Sequence, residues 1–137
     1  LNGECLPYAH NTVTVVPEEK DQYGLPIPKV TFSWGENEKR MIKAGVDRMR
    51  EILEAAGAEA TFSVDDTAHL MGGCRMGSDR NNSVVDEWCR SWDVPNLFVC
   101  DGSVFVTSSG VNPSLTIQAI AARTADYITE AAKRREL

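Results

Sequence analysis

Residues 96–128 read NLFVCDGSVFVTSSGVNPSLTIQAIAARTADYI. A short apolar run ends at Cys100, halts at Asp101-Gly102, and gives way to a loop rich in serine, threonine and glycine. A continuous apolar run of this kind is expected of a strand buried on both faces, as in a parallel sheet. Asn112 is placed to cap a helix and Pro113 to occupy its first position. Leu115, Ile117, Ala119, Ile120, Ala122, Thr124, Ile128 and Ala131 then recur on a broad apolar side at helical spacing. Lys133, Arg134 and Arg135 fall in the last turn, where cations suit the helix dipole. Strand, Asp-Gly, loop and helix make a βα unit, and open α/β sheets bind ligands at that carboxyl edge. The start of the helix offers free N–H groups to an anion or an electron-rich ring. A plain helix start in an α/β domain reads the same way.

Upstream lies HLMGGCRMGSD, residues 69–79, with three glycines around a cysteine and an arginine. It lacks the following helix and the Gly-Lys-Ser/Thr ending of a phosphate cradle. His69 with Cys74, Cys89 and Cys100 offers metal-ligand types at spacings wrong for a compact tetrahedral site, so no metal is expected. The glycines serve equally well as turn residues. Taken alone, His69 reads as structural or catalytic, and Arg75 as a structural salt-bridge partner or a charge beside a bound group.

Further upstream, Thr12–Val16 is β-branched throughout, and residues 29–34, KVTFSW, alternate apolar and polar. Both are expected as strands, joined by a loop over PEEKDQYGLPIP. Ile42, Val46, Met49, Leu53 and Ala56 form one helical stripe over residues 37–56, and Gly57 is a natural stop. Residues 58–63 and part of SVVDEWCRSW, residues 83–92, are expected as short strands.

The chain has 137 residues, a formal net charge of −6 and 25% charged residues. An acidic balance argues against a nucleic-acid binder and against an anionic membrane surface. No apolar run approaches the ~18–20 residues of a membrane span. The four cysteines contain no CxxC pair, and read as free, mostly buried thiols. Free thiols point to a reducing compartment, the cytoplasm.

HLMGGCRMGSD, then NSVVD, WDVPNLFVCDGSVF and SSGVNPSLTIQAIAARTADYI, in that order, resemble the C-terminal end of the glucose–methanol–choline family of flavin oxidoreductases. Residues 1–64 resemble, more loosely, the part of that family that crosses its substrate-binding sheet, so the match implies a substrate-binding region at residues 1–62 and an FAD-binding region with the active-site loops and final helix at residues 63–137. The resemblance implies a mixed α/β C-terminal portion of an FAD-binding fold. It also implies oxidation of a small alcohol, sugar or polyol to a carbonyl, with hydride passing to flavin N5. By the same match His69 is the catalytic base and Asn112 its partner at the substrate oxygen. Asp101 and Gly102 are expected near the ribityl and diphosphate portion of FAD, and Asn112, Pro113 and Ser114 near the pyrimidine end of its ring. Gly73 departs from the family's usual threonine, which leaves the rigidity of its loop open, and Val106 departs from a common proline.

The family's GxGxxG fingerprint for the FAD diphosphate occurs nowhere in the chain. The expectation is therefore a C-terminal piece that holds no FAD alone, self-associates or pairs with a missing N-terminal half, and has no activity by itself. The competing reading is a stand-alone, non-catalytic α/β interaction module. One conflict is visible at this stage. An Asn112 amide committed to capping its helix cannot turn the same atoms to a substrate.

Overall fold

The computed structural model of the chain describes residues 2–108 and 110–137, so Ser109 of the SSG sequence lies outside the described residues. Strands β1 (Thr12–Lys20) and β2 (Pro26–Thr31) form an antiparallel two-stranded sheet. Pairing runs from Thr12 with Thr31 to Val16 with Ile27, then slips to Lys20 with Pro26. The ladder thus extends through Pro17–Lys20 and Pro26–Pro28, which the sequence reading assigned to a loop. A two-stranded ribbon has a free edge on each strand, so prolines meet no second ladder there. The true turn is residues 21–25. Asp21 Oδ1 accepts from Tyr23 N and Leu25 N at 2.8 and 3.0 Å. Gly24 supplies the left-handed residue at φ +81°. Phe32 and Trp34 fall outside β2 and pair edge to face, 4.9 Å apart.

Helix α1 spans Glu36–Ala55, within a residue of its expected bounds. Gly57 N bonds Glu54 O and Ala58 N bonds Leu53 O, the paired bonds of a left-handed glycine stop. Ile42 and Val46 of its stripe are half-buried, whereas Met49 and Leu53 remain exposed. The expected strand at residues 58–63 is absent, and Phe62 is 91% exposed. A single extended segment without a neighbouring strand has no partner for its backbone.

The buried core lies in the irregular half. Val85, Cys89 and Val104 are fully buried, with Met76, Val99 and Ile120 packed against them. Residues 71–77 are zipped to a 3₁₀ turn, η1 (Gly102–Val104). Gly72 N, Cys74 N and Met76 N donate to the carbonyls of Gly102, Ser103 and Val104 at 3.2, 2.8 and 2.9 Å. Alternate amides of an extended segment thereby satisfy successive carbonyls of a tight one. Gly73 therefore sits between two fixed amides, which answers the doubt its missing hydroxyl raised.

The expected parallel strand at residues 96–100 is a correction. Among the described residues it makes one antiparallel bridge, Phe98 with Arg90, and Cys100 is exposed. The apolar run packs Val99 into the core, but its pairing with residues 89–91 is a single bridge, and among the described residues no named strand extends it into a sheet. All four cysteines are free, as expected, yet only Cys89 is buried.

Helix α2 spans Ser114–Lys133. Trp88 stacks on Tyr127 at 4.8 Å, Arg123 lies 4.2 Å above Trp88, and Arg123 donates to Glu87 O. These contacts clamp α2 to the loop core. The accessible surface of the whole chain is 10072 Å². A compact monomer of this mass exposes roughly 7,100 Å². No helix among the described residues is long and apolar enough to cross a membrane.

Candidate functional site

One open cleft of about 1200 Å³ runs between the two halves. Its wall includes His69, Asp101, Gly102 and Asn112 from the expected site, while Pro113 and Ser114 lie outside it. His69 is held with φ 57°. A non-glycine residue in that left-handed region is uncommon and carries strain of about 1–3 kcal/mol. Its ring is exposed and has no hydrogen-bond partner among the described residues. The backbone beyond it is tightly fixed from Gly72 onward, where φ is +88° and a Cβ would fall 3.0 Å from Phe105 O. The histidine therefore stands three residues before a segment fixed by backbone hydrogen bonds.

Asn112 does not cap α2, which corrects the expected N-cap. The helix begins at Ser114 with Pro113 at its boundary, and no side chain bonds its first turn. The first intrahelical amide bond is Ile117 N to Pro113 O, 2.9 Å. Ser114, Leu115 and Thr116 thus present amides with no partner among the described residues, and all three are exposed. The Asn112 side chain is exposed on the cleft wall, so the capping conflict does not arise.

Asp101 caps η1. Its Oδ1 accepts from Ser103 N and Ser103 Oγ, both within the turn. The Ser103 hydroxyl and then its amide hold the Asp101 carboxyl below its ordinary value. The group is therefore an anion with Oδ2 left to accept from a ligand. Gly102 underlies it, where a Cβ would touch Met71 Cγ and Ile117 Cδ1 at 3.4 Å. Arg75 Nε donates to Asn82 O at 2.6 Å, and the residue also lines the cleft. No cluster of metal-ligating side chains occurs among the described residues.

Sequence reasoning missed one wall. Asn2, Gly3, Cys5, Leu6, Pro7 and Tyr8 also line the cleft. No periodic pattern marks this segment. Its only sequence signal was the looser family resemblance over residues 1–64; in the structure Gly110 meets the backbone of Asn2 and Gly3 at close approach.

Comparison with known proteins shows the family of the chain. The family model described as GMC oxidoreductase matches residues 7–121. The chain is 44% identical over 135 residues to 2-methyl-1,2-propanediol dehydrogenase of Mycolicibacterium austroafricanum, covering 93% of the chain and 24% of that protein. It is 36% identical over 130 residues to the fructose dehydrogenase large subunit of Gluconobacter japonicus, again 93% of the chain and 24% of the relative. The gluconate 2-dehydrogenase flavoprotein of Pantoea cypripedii is 35% identical over 141 residues, 94% of the chain and 23% of its own length. The chain spans about a quarter of the length of these relatives. With the match covering most of its residues, the cleft-bearing chain belongs to the GMC oxidoreductase family.

Proposed function

We propose that this chain forms the substrate-side wall of a flavin-dependent oxidoreductase acting on CH–OH groups of a small alcohol, sugar or polyol. Similarity to a diol dehydrogenase, a fructose dehydrogenase subunit and a gluconate dehydrogenase flavoprotein supports the reaction class. The observation that carries the reading is that His69 and Asn112, far apart in sequence, line one cleft with Asp101 and Gly102.

The cofactor fit is partial, and the missing part is specific. Asp101 offers an ionised acceptor suited to a ribityl hydroxyl, and the open first turn of α2 suits the electron-rich edge of a flavin ring. Nothing in the sequence cradles a diphosphate. FAD, when bound, supplies the hydride acceptor. His69 takes the hydroxyl proton as the C–H bond weakens, a role that suits imidazole near neutral pH. The Asn112 amide donates to the substrate oxygen as negative charge gathers there. Residues 1–62 contribute to the substrate side, and residues 63–137 carry the active-site loops together with part of the cofactor wall. The unpartnered His69 ring and the surface excess both fit a further segment that packs over the cleft and orients the imidazole.

The test compares the 137-residue chain with the longer protein that carries it. The longer protein is expected to purify with flavin and to oxidise members of an alcohol and sugar panel. The short chain is expected to hold no flavin and to associate with itself or with the remaining segment. Stoichiometric flavin in the short chain, or no turnover of any polyol by the flavin-loaded longer protein, overturns the reading.

A further inference from the structure

We propose that residues 2–8 act as a strap that positions Asn112, through Thr107, Gly110 and an anchor on Glu38. The inference rests on the role for Asn112 proposed above. Its support is a set of contacts concentrated in seven residues. At one end the strap is tied to α1. Leu6 N donates to Glu38 Oε1 at 3.1 Å, and Glu38 Oε2 accepts from Gly35 N at 3.1 Å. Glu38 is fully buried, the one acidic side chain in that state among the described residues. The Tyr8 ring rests on Gly35 and the Met41 thioether on Gly3, each where a Cβ would collide. At the other end the strap is tied to the loop before α2. Thr107 Oγ1 donates to Glu4 Oε1. A Cβ on Gly110 would fall 2.9 Å from Asn2 O, a backbone atom that cannot swing away.

The consequence follows from connectivity. Gly110 lies two residues before Asn112, and no side-chain bond from α2 fixes that approach. The position of the Asn112 amide is therefore set by where the loop rests on the strap. The strap in turn rests on α1, which carries the Ile42 and Val46 wall of the same cleft. Thr107, Gly110 and Glu4 are positioning residues, since their contacts are with the strap and loop and not with the reacting atoms. A displacement of about 1 Å at a reacting group can lower turnover roughly 100-fold.

The test uses the flavin-loaded longer protein. Thr107→Val removes the hydroxyl at constant shape, and Gly110→Ala places a methyl against Asn2 O. Each is expected to lower kcat roughly 10–100-fold with KM changed less than about threefold. Each is also expected to speed hydrogen exchange across residues 105–112, with Thr107→Ser restoring both readouts. Unchanged exchange and unchanged kcat in both variants overturns the strap. Asn112→Ala is run beside them. If that variant keeps full turnover, the catalytic reading of Asn112 fails, and exchange across residues 105–112 alone decides whether the strap holds the loop.

Discussion

The two halves of the chain differ in an instructive way. Residues 2–57 contain the sheet and a twenty-residue helix, yet Glu38 is the one fully buried side chain there among the described residues. Residues 71–104 contain almost no regular structure, yet hold Val85, Cys89 and Val104 at zero exposure. Regular backbone and a buried core are therefore separate properties. The first half satisfies its backbone locally and leaves Val13, Val15, Val30, Met49 and Leu53 facing out. The second satisfies its backbone across sequence, from Gly72 to Gly102 and from Val84 to Arg75, and closes around its apolar residues.

Paired valine truncations sharpen this contrast most. Val85→Ala is expected to cost about 2 kcal/mol, from two buried methyl groups at ~0.8 kcal/mol each and the cavity they leave. Val13→Ala, at 63% exposure, is expected to stay within about 0.5 kcal/mol. Chemical denaturation of the two variants checks this, and equal losses would erase the distinction between the halves.

Glu38 is the exception in the first half and gives it a pH dependence. Burial works to raise its carboxyl, but donors from Leu6 N, Asn37 and Tyr8 outweigh it and hold it at about 2, against an ordinary 4.5. A depressed folded-state value stabilises the fold above the unfolded value. That contribution fades as pH falls from about 4.5 towards 2. Hydrogen exchange at Leu6 and Gly35 is expected to rise over this window, and Glu38→Gln to flatten the rise. The Tyr8 phenol is raised above its ordinary value, chiefly by its interaction with the Glu38 carboxylate.

Gly57→Ala probes the end of α1 at about 1 kcal/mol of lost stability. Its φ of +96° is the whole cause, since no atom lies within 4 Å of the added methyl. The smallest effect belongs to the exposed pair Lys43–Asp47, where Lys43→Ala is expected to cost no more than about 0.5 kcal/mol. Thermal unfolding ranks these two variants, and a reversed order contradicts the account of the helix.

Legibility in the sequence followed the same division. Both helices were visible because their apolar residues repeat at helical spacing and their ends carry Gly57 and Pro113. The reach of β1 through Pro17 was not, because proline signals a loop unless the strand has a free edge. The run Leu97–Cys100 read as a buried strand because periodicity cannot reveal whether flanking strands exist. His69, Asn112, Asp101 and Gly102 were legible only through the ordered blocks they belong to. The strap at residues 2–8 was invisible, since its contacts join residues as distant as Glu4 and Thr107.

The central claim is that His69 acts on the substrate hydroxyl within this cleft. The direct measurement is anaerobic mixing of an alcohol substrate with the flavin-loaded longer protein, following the loss of flavin colour in a single turnover. His69→Ala is expected to retain its flavin and to bleach it roughly 10²–10⁴-fold more slowly than the parent. Bleaching at the parent rate, with flavin still bound, would contradict the account.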